Sequence, residues 1–157
     1  PFIKKLQMVF DEGLYDPANE PDIAYAHLFS YFRGEEWRTQ KETQRLLDKY
    51  FTTKPNGIPG NDDTGTMSAW AIFNMIGFYP DCPGLPEYTL TTPVFNKVTI
   101  RLDPKWYKEK ELVIESNRTQ PGTLYINKVL LNGKKFNQYR ITHDELVHSQ
   151  RILFDLK

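Results

Sequence analysis

Apolar residues recur at helical intervals through the first half of the chain and alternate with polar ones through the second. Phe2, Leu6, Val9 and Phe10 fall on one helical face, with Ile3 beside them, and Gly13 stands where a helix commonly stops. Pro17 and Pro21 then bracket a loop, "LYDPANEPD", because proline disfavours helix in the residue before it. A helix is expected from about Asp22 to Arg33, and another from about Glu36 to Phe51, whose outer face carries Lys41, Glu42 and Arg45. The segment "TTKPNGIPGNDDTG" is a loop by its glycines, prolines and asparagines. Next comes a helix from Gly65–Met67 to about Ile76 or Phe78, apolar on nearly every side through Met67, Trp70, Ala71, Phe73, Met75 and Ile76, and therefore expected to be buried.

From Asp81 the period changes from 3.6 to 2. "VFNKVTIRL", "ELVIES", "TLYINKVLLNGKKF" and "RILFDL" read as half-buried strands, and Asn132-Gly133 is a hairpin turn signal. The expected class is α+β, with a helical segment at 1–80 and a small antiparallel β-rich region at 81–157.

Composition excludes more than it selects. The chain has 157 residues and equal numbers of basic and acidic side chains, 20 each. Without a basic stripe to follow a phosphate backbone, a nucleic-acid partner has no support. The apolar runs are too short to span a bilayer, so no membrane partner is expected. One cysteine, Cys82, rules out an internal disulfide framework. Aromatic content of 14% serves cores and sugar-stacking surfaces equally well.

The chemistry concentrates in two loops. Asp62 and Asp63 sit between Gly60 and Gly65 just before the apolar helix, where unpaired backbone N–H groups and the helix dipole keep a carboxylate ionised. Such a residue suits a general base or a metal ligand; one of the pair acting only as helix cap is the competing reading. Asn19, Glu20 and Asp22 form a second cluster of oxygen donors, of the kind Ca²⁺ accepts, although the spacing is not that of an EF-hand and such loops are often plain turns. His27 falls within an apolar helix and reads as packed, while His143 and His148 read as surface residues. Asn117-Arg118-Thr119 meets the N-glycosylation sequon.

Taken in order, "DPANEPDIAYAHLFSYFRGEEWRTQ", "NGIPGNDDTGTMSAWAIFNMIGFYPDCPG", "YTLTTPVFNKVTIRL" and "LYINKVLLNGKKF" closely resemble the C-terminal part of glycoside hydrolase family 92. The resemblance spans roughly residues 14 to 156 and is most specific from Gly60 to Pro80. It implies calcium-dependent α-mannosidase chemistry that releases mannose from non-reducing ends, α-1,2-directed and inverting, on a mannose-containing glycan met outside the cytoplasm, in a secreted or periplasmic setting. It also implies that residues 1–80 belong to an α/α barrel-type catalytic domain. By resemblance Asp63 is the general base and a calcium ligand, Asp62 an acidic partner in the catalytic loop, Asn19 a calcium ligand and Glu20 a sugar or calcium contact.

The family often carries an acidic residue where Asn61 stands, so no base role passes to that position. After "NEPDI" many members continue His, Thr, Pro, Tyr, whereas this chain has Ala24, Tyr25, Ala26 and His27, which implies different substrate contacts there. The family's general-acid glutamate lies upstream of the "NEPD" block, and nothing before Asp11 is acidic. The chain is therefore expected to be a fragment, inactive alone, that works with the missing N-terminal part of the same enzyme. A non-catalytic carbohydrate-binding or structural module is the alternative.

Overall fold

A computed structural model describes residues 1–18 and 20–157. The chain divides into two compact units, Pro1–Phe73 and Asn74–Lys157. The first is helical. Helix α1 (Phe2–Asp11) buries Leu6 and Phe10, four residues apart on one face, and ends before Gly13 at φ 69°. Helix α2 (Glu36–Tyr50) buries Leu46 and Leu47 together with a polar row, Thr39, Gln40, Glu42 and Thr43. Glu42 is fully buried; Gln7 Nε2 donates to its Oε1 at 2.9 Å, and Arg45 Nε lies 2.8 Å from its Oε2. It therefore belongs to the packed side of α2 rather than to the solvated face expected from its neighbours Lys41 and Arg45, because Gln7 of α1 and the Arg45 guanidinium together supply the partners that let a carboxylate leave water.

The helix expected from Asp22 to Arg33 forms as two 3₁₀ pieces, Glu20–Asp22 and Tyr25–Tyr31. Three residues per turn bring Ala26 above Phe29 and His27 above Ser30, and all four are buried. Helix α3 (Thr66–Ile76) meets this segment through Trp70, whose ring lies edge-on to His27. Met67, Trp70 and Ala71 are buried, but Phe73, Met75 and Ile76 are half-buried and Ile72 is 53% exposed, so the helix is buried along one side rather than all round as expected.

The second unit holds two sheets. Strands β1 (Phe78–Tyr79), β2 (Glu87–Leu90) and β7 (Arg140–Thr142) make a small antiparallel sheet. Arg140 clamps it: Nη1 donates to Thr89 Oγ1 at 2.8 Å and lies 3.3 Å from the Asp81 carboxylate, which is 1% exposed and also accepts from Thr89. The larger sheet runs β3 (Lys97–Arg101), β4 (Glu111–Arg118), β8 (Arg151–Leu156), β5 (Ile126–Leu131), β6 (Lys134–Phe136) in spatial order. Alternation supplies its core: Leu112, Ile114 and Ser116 from β4 and Ile152, Phe154 and Leu156 from β8 all face inward. Asn132 and Gly133, at φ 49° and 80°, turn the β5–β6 hairpin with the positive dihedrals a two-residue turn needs.

This sheet is mixed, not wholly antiparallel. β8 inserts between β4 and β5 and pairs parallel to β4, from Val113↔Arg151 to Arg118↔Leu156. A parallel neighbour needs a crossover of about a dozen residues or more, and the hairpin, β7 and α4 (His143–Val147) fill that connection. Period-2 alternation records which face a residue takes but not which strand lies beside it.

Short elements escaped the pattern: β1, β2, β7 and α4 are too brief to show a period. α4 nevertheless carries a capping box, with Thr142 Oγ1 accepting from the Glu145 N–H at 3.1 Å and Glu145 Oε2 accepting from the Thr142 N–H at 2.9 Å. His143, expected at the surface, is half-buried. Tyr88 Oη lies 2.9 Å from its Nδ1 and Tyr107 Oη 3.5 Å from its Nε2. Burial, and secondarily the neighbouring Tyr107, pushes the Tyr88 phenol above the usual tyrosine range.

Candidate active site

The loop before α3 takes a backbone path that most sequences avoid. Asp63, Thr64 and Gly65 follow one another at φ 46°, 60° and 92°. Left-handed backbone costs an ordinary L-residue roughly 1–2 kcal/mol, and a β-branched threonine there is an outlier. Strain of this kind clusters where a side chain must be held in a particular place. Hydrogen bonds to the helix start hold the turn. The Asp63 carbonyl accepts from the Thr66 N–H at 3.2 Å and from its hydroxyl at 2.8 Å, and the Asp62 carbonyl accepts from the Met67 N–H at 3.2 Å.

The two carboxylates are then used differently. Asp62 Oδ1 accepts from the Ser68 N–H at 2.8 Å, satisfying one of the orphan donors of the first helical turn. Asp63 is exposed, and its carboxylate has no hydrogen bond or ion pair among the described residues. One aspartate caps the helix; the other is presented to solvent from a strained, hydrogen-bonded turn.

Two tethers bring the second acidic segment alongside. Gly60, at φ 65°, packs so closely on Ala18 that a Cβ there would lie 2.7 Å from the Ala18 Cβ and 3.1 Å from its carbonyl oxygen. Ala18 is itself fixed by a turn in which its N–H donates to Asp16 Oδ1 at 2.9 Å. Trp70 supplies the second tether, since its Nε1–H donates to the Ile23 carbonyl at 2.9 Å. The indole stacks on Phe51 at 5.4 Å and meets His27 edge-on at 6.0 Å, so its position is set by packing as well as by the hydrogen bond. Between Ala18 and Ile23, Glu20 opens the 3₁₀ turn, exposed, with the Ile23 N–H donating to its carbonyl at 3.1 Å. Asn19 lies outside the described residues.

The first unit therefore gathers the Asp62–Asp63 loop and the Glu20–Asp22 turn onto one region, although about forty residues of chain separate them. Neither tether was foreseen from the sequence: Gly60 read as a loop residue and Trp70 as core. The signal available was the pairing of a glycine before the acidic pair with a tryptophan after it. Chemically, carboxylates on fixed loops can take a proton from water or present hard oxygen atoms to a calcium ion, which accepts six to eight oxygen ligands, backbone carbonyls, amides and water included. Among the described residues no three His, Cys, Asp or Glu side chains cluster closely enough to bind a metal by themselves. Oxygen chemistry suits Ca²⁺, and these side chains would form part of a ligand set. His27 is completely buried, as its apolar helix implied.

Comparison with known proteins bears on the same motifs. All of residues 1–157 match the glycosyl hydrolase family 92 catalytic domain. A family 92 α-mannosidase from Bacteroides thetaiotaomicron superposes with a TM-score of 0.89 at 31% identity, covering 99% of this chain and 21% of that one. A structure of that α-mannosidase in complex with mannoimidazole gives 0.82 over 91% of this chain. A family 92 inverting mannosidase from the same organism gives 0.80 at 33% identity over 96% of this chain and 20% of its own. A protein of Arthroderma benhamiae described as an uncharacterized secreted glycosidase is 28% identical over 143 residues, 91% of this chain and 18% of the relative. The chain thus spans about a fifth of the length of the relatives it matches. No helix among the described residues is long and apolar enough to cross a membrane. With a family match over all 157 residues and mixed helix and sheet as in these structures, the chain belongs to glycosyl hydrolase family 92.

Proposed function

We propose that this chain is part of an exo-acting, inverting α-mannosidase that releases mannose from the non-reducing ends of α-1,2-linked mannosides outside the cytoplasm. The observation that carries this reading is the contrast within the acidic pair: Asp62 is occupied as a helix cap, while Asp63 is exposed, unbonded and held in left-handed backbone. Its helical unit would form part of an α/α barrel completed by the rest of the polypeptide.

In an inverting reaction a carboxylate removes a proton from water while a carboxylic acid on the other side of the sugar protonates the departing oxygen, the two about 6.5–9.5 Å apart. Asp63 takes the water proton on its free carboxylate as the water oxygen bonds to the anomeric carbon from the face opposite the leaving group. Asp62 holds the loop by its bond to the Ser68 N–H and adds negative potential beside the base. Glu20 orients sugar hydroxyls. Asn19 and Asp63 would hold Ca²⁺, which when bound polarises sugar hydroxyls and favours ring distortion. The acid is a glutamate from elsewhere in the enzyme, so this chain alone gives little turnover, short of the complete site by about 10²–10⁴-fold.

The test is α-mannoside hydrolysis by the complete polypeptide, with and without a calcium chelator and with Asp63→Asn. Calcium-dependent release of mannose with inverted configuration, lost in Asp63→Asn while mannose binding survives, is the expected result. Undiminished turnover in Asp63→Asn would remove the base assignment, and robust hydrolysis by the 157-residue chain would remove the incomplete-site assignment.

A further inference from the structure

The second unit contains a cavity of about 150 Å³ remote in sequence from the acidic loop. It opens where two strands part. β5 and β6 pair only from Leu131↔Lys134 to Val129↔Phe136, after which Asn137–Tyr139 departs toward β2, the Tyr139 carbonyl accepting from the Leu90 N–H at 2.9 Å. The β5 residues before Val129 thus keep one edge without a β6 partner. On the other edge the register against β8 slips between Ile126 and Lys128, bulging Asn127. Bulges re-aim side chains, and here the bulged residue lines the cavity.

The lining is predominantly polar. Asn137 and Gln138 contribute carboxamides and Lys128 and Lys135 ammonium donors, with Val129 buried among them; Asn127 also lines the cavity, its carboxamide N–H donating to Asp155 Oδ2 at 2.9 Å. Among the described residues no carboxylate lines the cavity itself, and the Asp155 carboxylate stands beside it on Asn127. The side chains of Asn137, Gln138, Lys128 and Lys135 have no hydrogen-bond or ion-pair partner among the described residues. A carboxamide both donates and accepts, which matches the vicinal hydroxyls of a sugar ring. The volume holds about five waters at ~30 Å³ each, on the scale of one ring rather than a chain.

We propose that this cavity is an accessory, non-catalytic saccharide site that holds one pyranose unit of the glycan whose terminal residues the enzyme removes. The choice of mannose as ligand rests on the mannosidase reading; the existence of a saccharide site does not. The experiment is titration of the isotopically labelled chain with an α-linked mannotriose and, separately, with inorganic phosphate, followed through backbone and side-chain amide resonances. Shifts are expected at the Asn127, Asn137 and Gln138 amides with mannotriose. The Asn137→Ala/Gln138→Ala variant should bind at least about tenfold more weakly, since two ligand hydrogen bonds go. Both substitutions are at exposed positions, and the amide spectrum itself reports whether the variant is folded. Asp63→Asn should bind unchanged. Absence of any mannotriose shift, loss of binding in Asp63→Asn but not in the double variant, or shifts produced by phosphate alone would each overturn the proposal. Hydrolysis by the complete enzyme is read separately, so failure here leaves the base assignment of Asp63 standing or falling on its own result.

Discussion

The division of labour between Asp62 and Asp63 can be tested by stability alone. Asp62→Ala removes an acceptor from the Ser68 N–H in the first turn of α3, 2.8 Å away, at a position open to solvent. Losing a helix-capping oxygen typically costs about 1 kcal/mol, and removing negative charge from the positive end of the dipole adds roughly 0.3–1 kcal/mol. The expected loss is therefore about 1.5 kcal/mol. For a chain of this size that lowers the melting temperature by about 3–6 °C, at ~2–4 °C per kcal/mol. Asp63→Asn, by contrast, removes a charge that no described residue contacts, and asparagine accepts left-handed backbone at least as well as aspartate. Its melting temperature should stay within about 1 °C of the parent, or rise. Thermal unfolding followed by far-ultraviolet circular dichroism, with urea titration as a second probe, measures both. If Asp63→Asn destabilises as much as Asp62→Ala, Asp63 has a structural partner and the argument for a reserved carboxylate fails.

Gly60→Ala places a methyl 2.7 Å from the Ala18 Cβ at φ 65°, so it should cost about 2–4 kcal/mol from overpacking and backbone strain together; a urea midpoint equal to the parent's would mean that the two loops are not in contact. Tyr88 has a pKa raised above the usual 10, first by burial and then by Tyr107, so the folded state keeps the phenolic proton longer than the unfolded chain does. That contribution is fully present below pH 10 and disappears as pH rises through the folded value. Tyr88→Phe should therefore flatten the alkaline decline in stability, at the expense of the hydrogen bond to His143, and an unchanged profile above pH 10 would contradict this.

Much of the fold was legible because period and punctuation are local. The 3.6-residue spacing of Leu6 and Phe10, the alternation of Ile152, Phe154 and Leu156, and the Asn132-Gly133 turn each follow from short-range sterics acting on neighbouring residues. The acidic pair, too, announced itself by composition and by its place before an apolar helix. What the sequence left open was any choice that depends on a partner distant in the chain. Burial of Glu42 needed Gln7; the half-buried state of His143 needed Tyr88 and Tyr107; the parallel pairing of β4 with β8 needed a long crossover to fold back. Above all, the local pattern allowed either aspartate to be the cap. Only the tertiary path decided it: the left-handed run from Asp63 to Gly65 turns the Asp62 carboxylate onto the Ser68 N–H and frees its neighbour, while Gly60 against Ala18 and Trp70 against Ile23 bring in the second acidic loop. Local sterics write the elements into the sequence, but a close contact between residues far apart depends on how the whole unit closes.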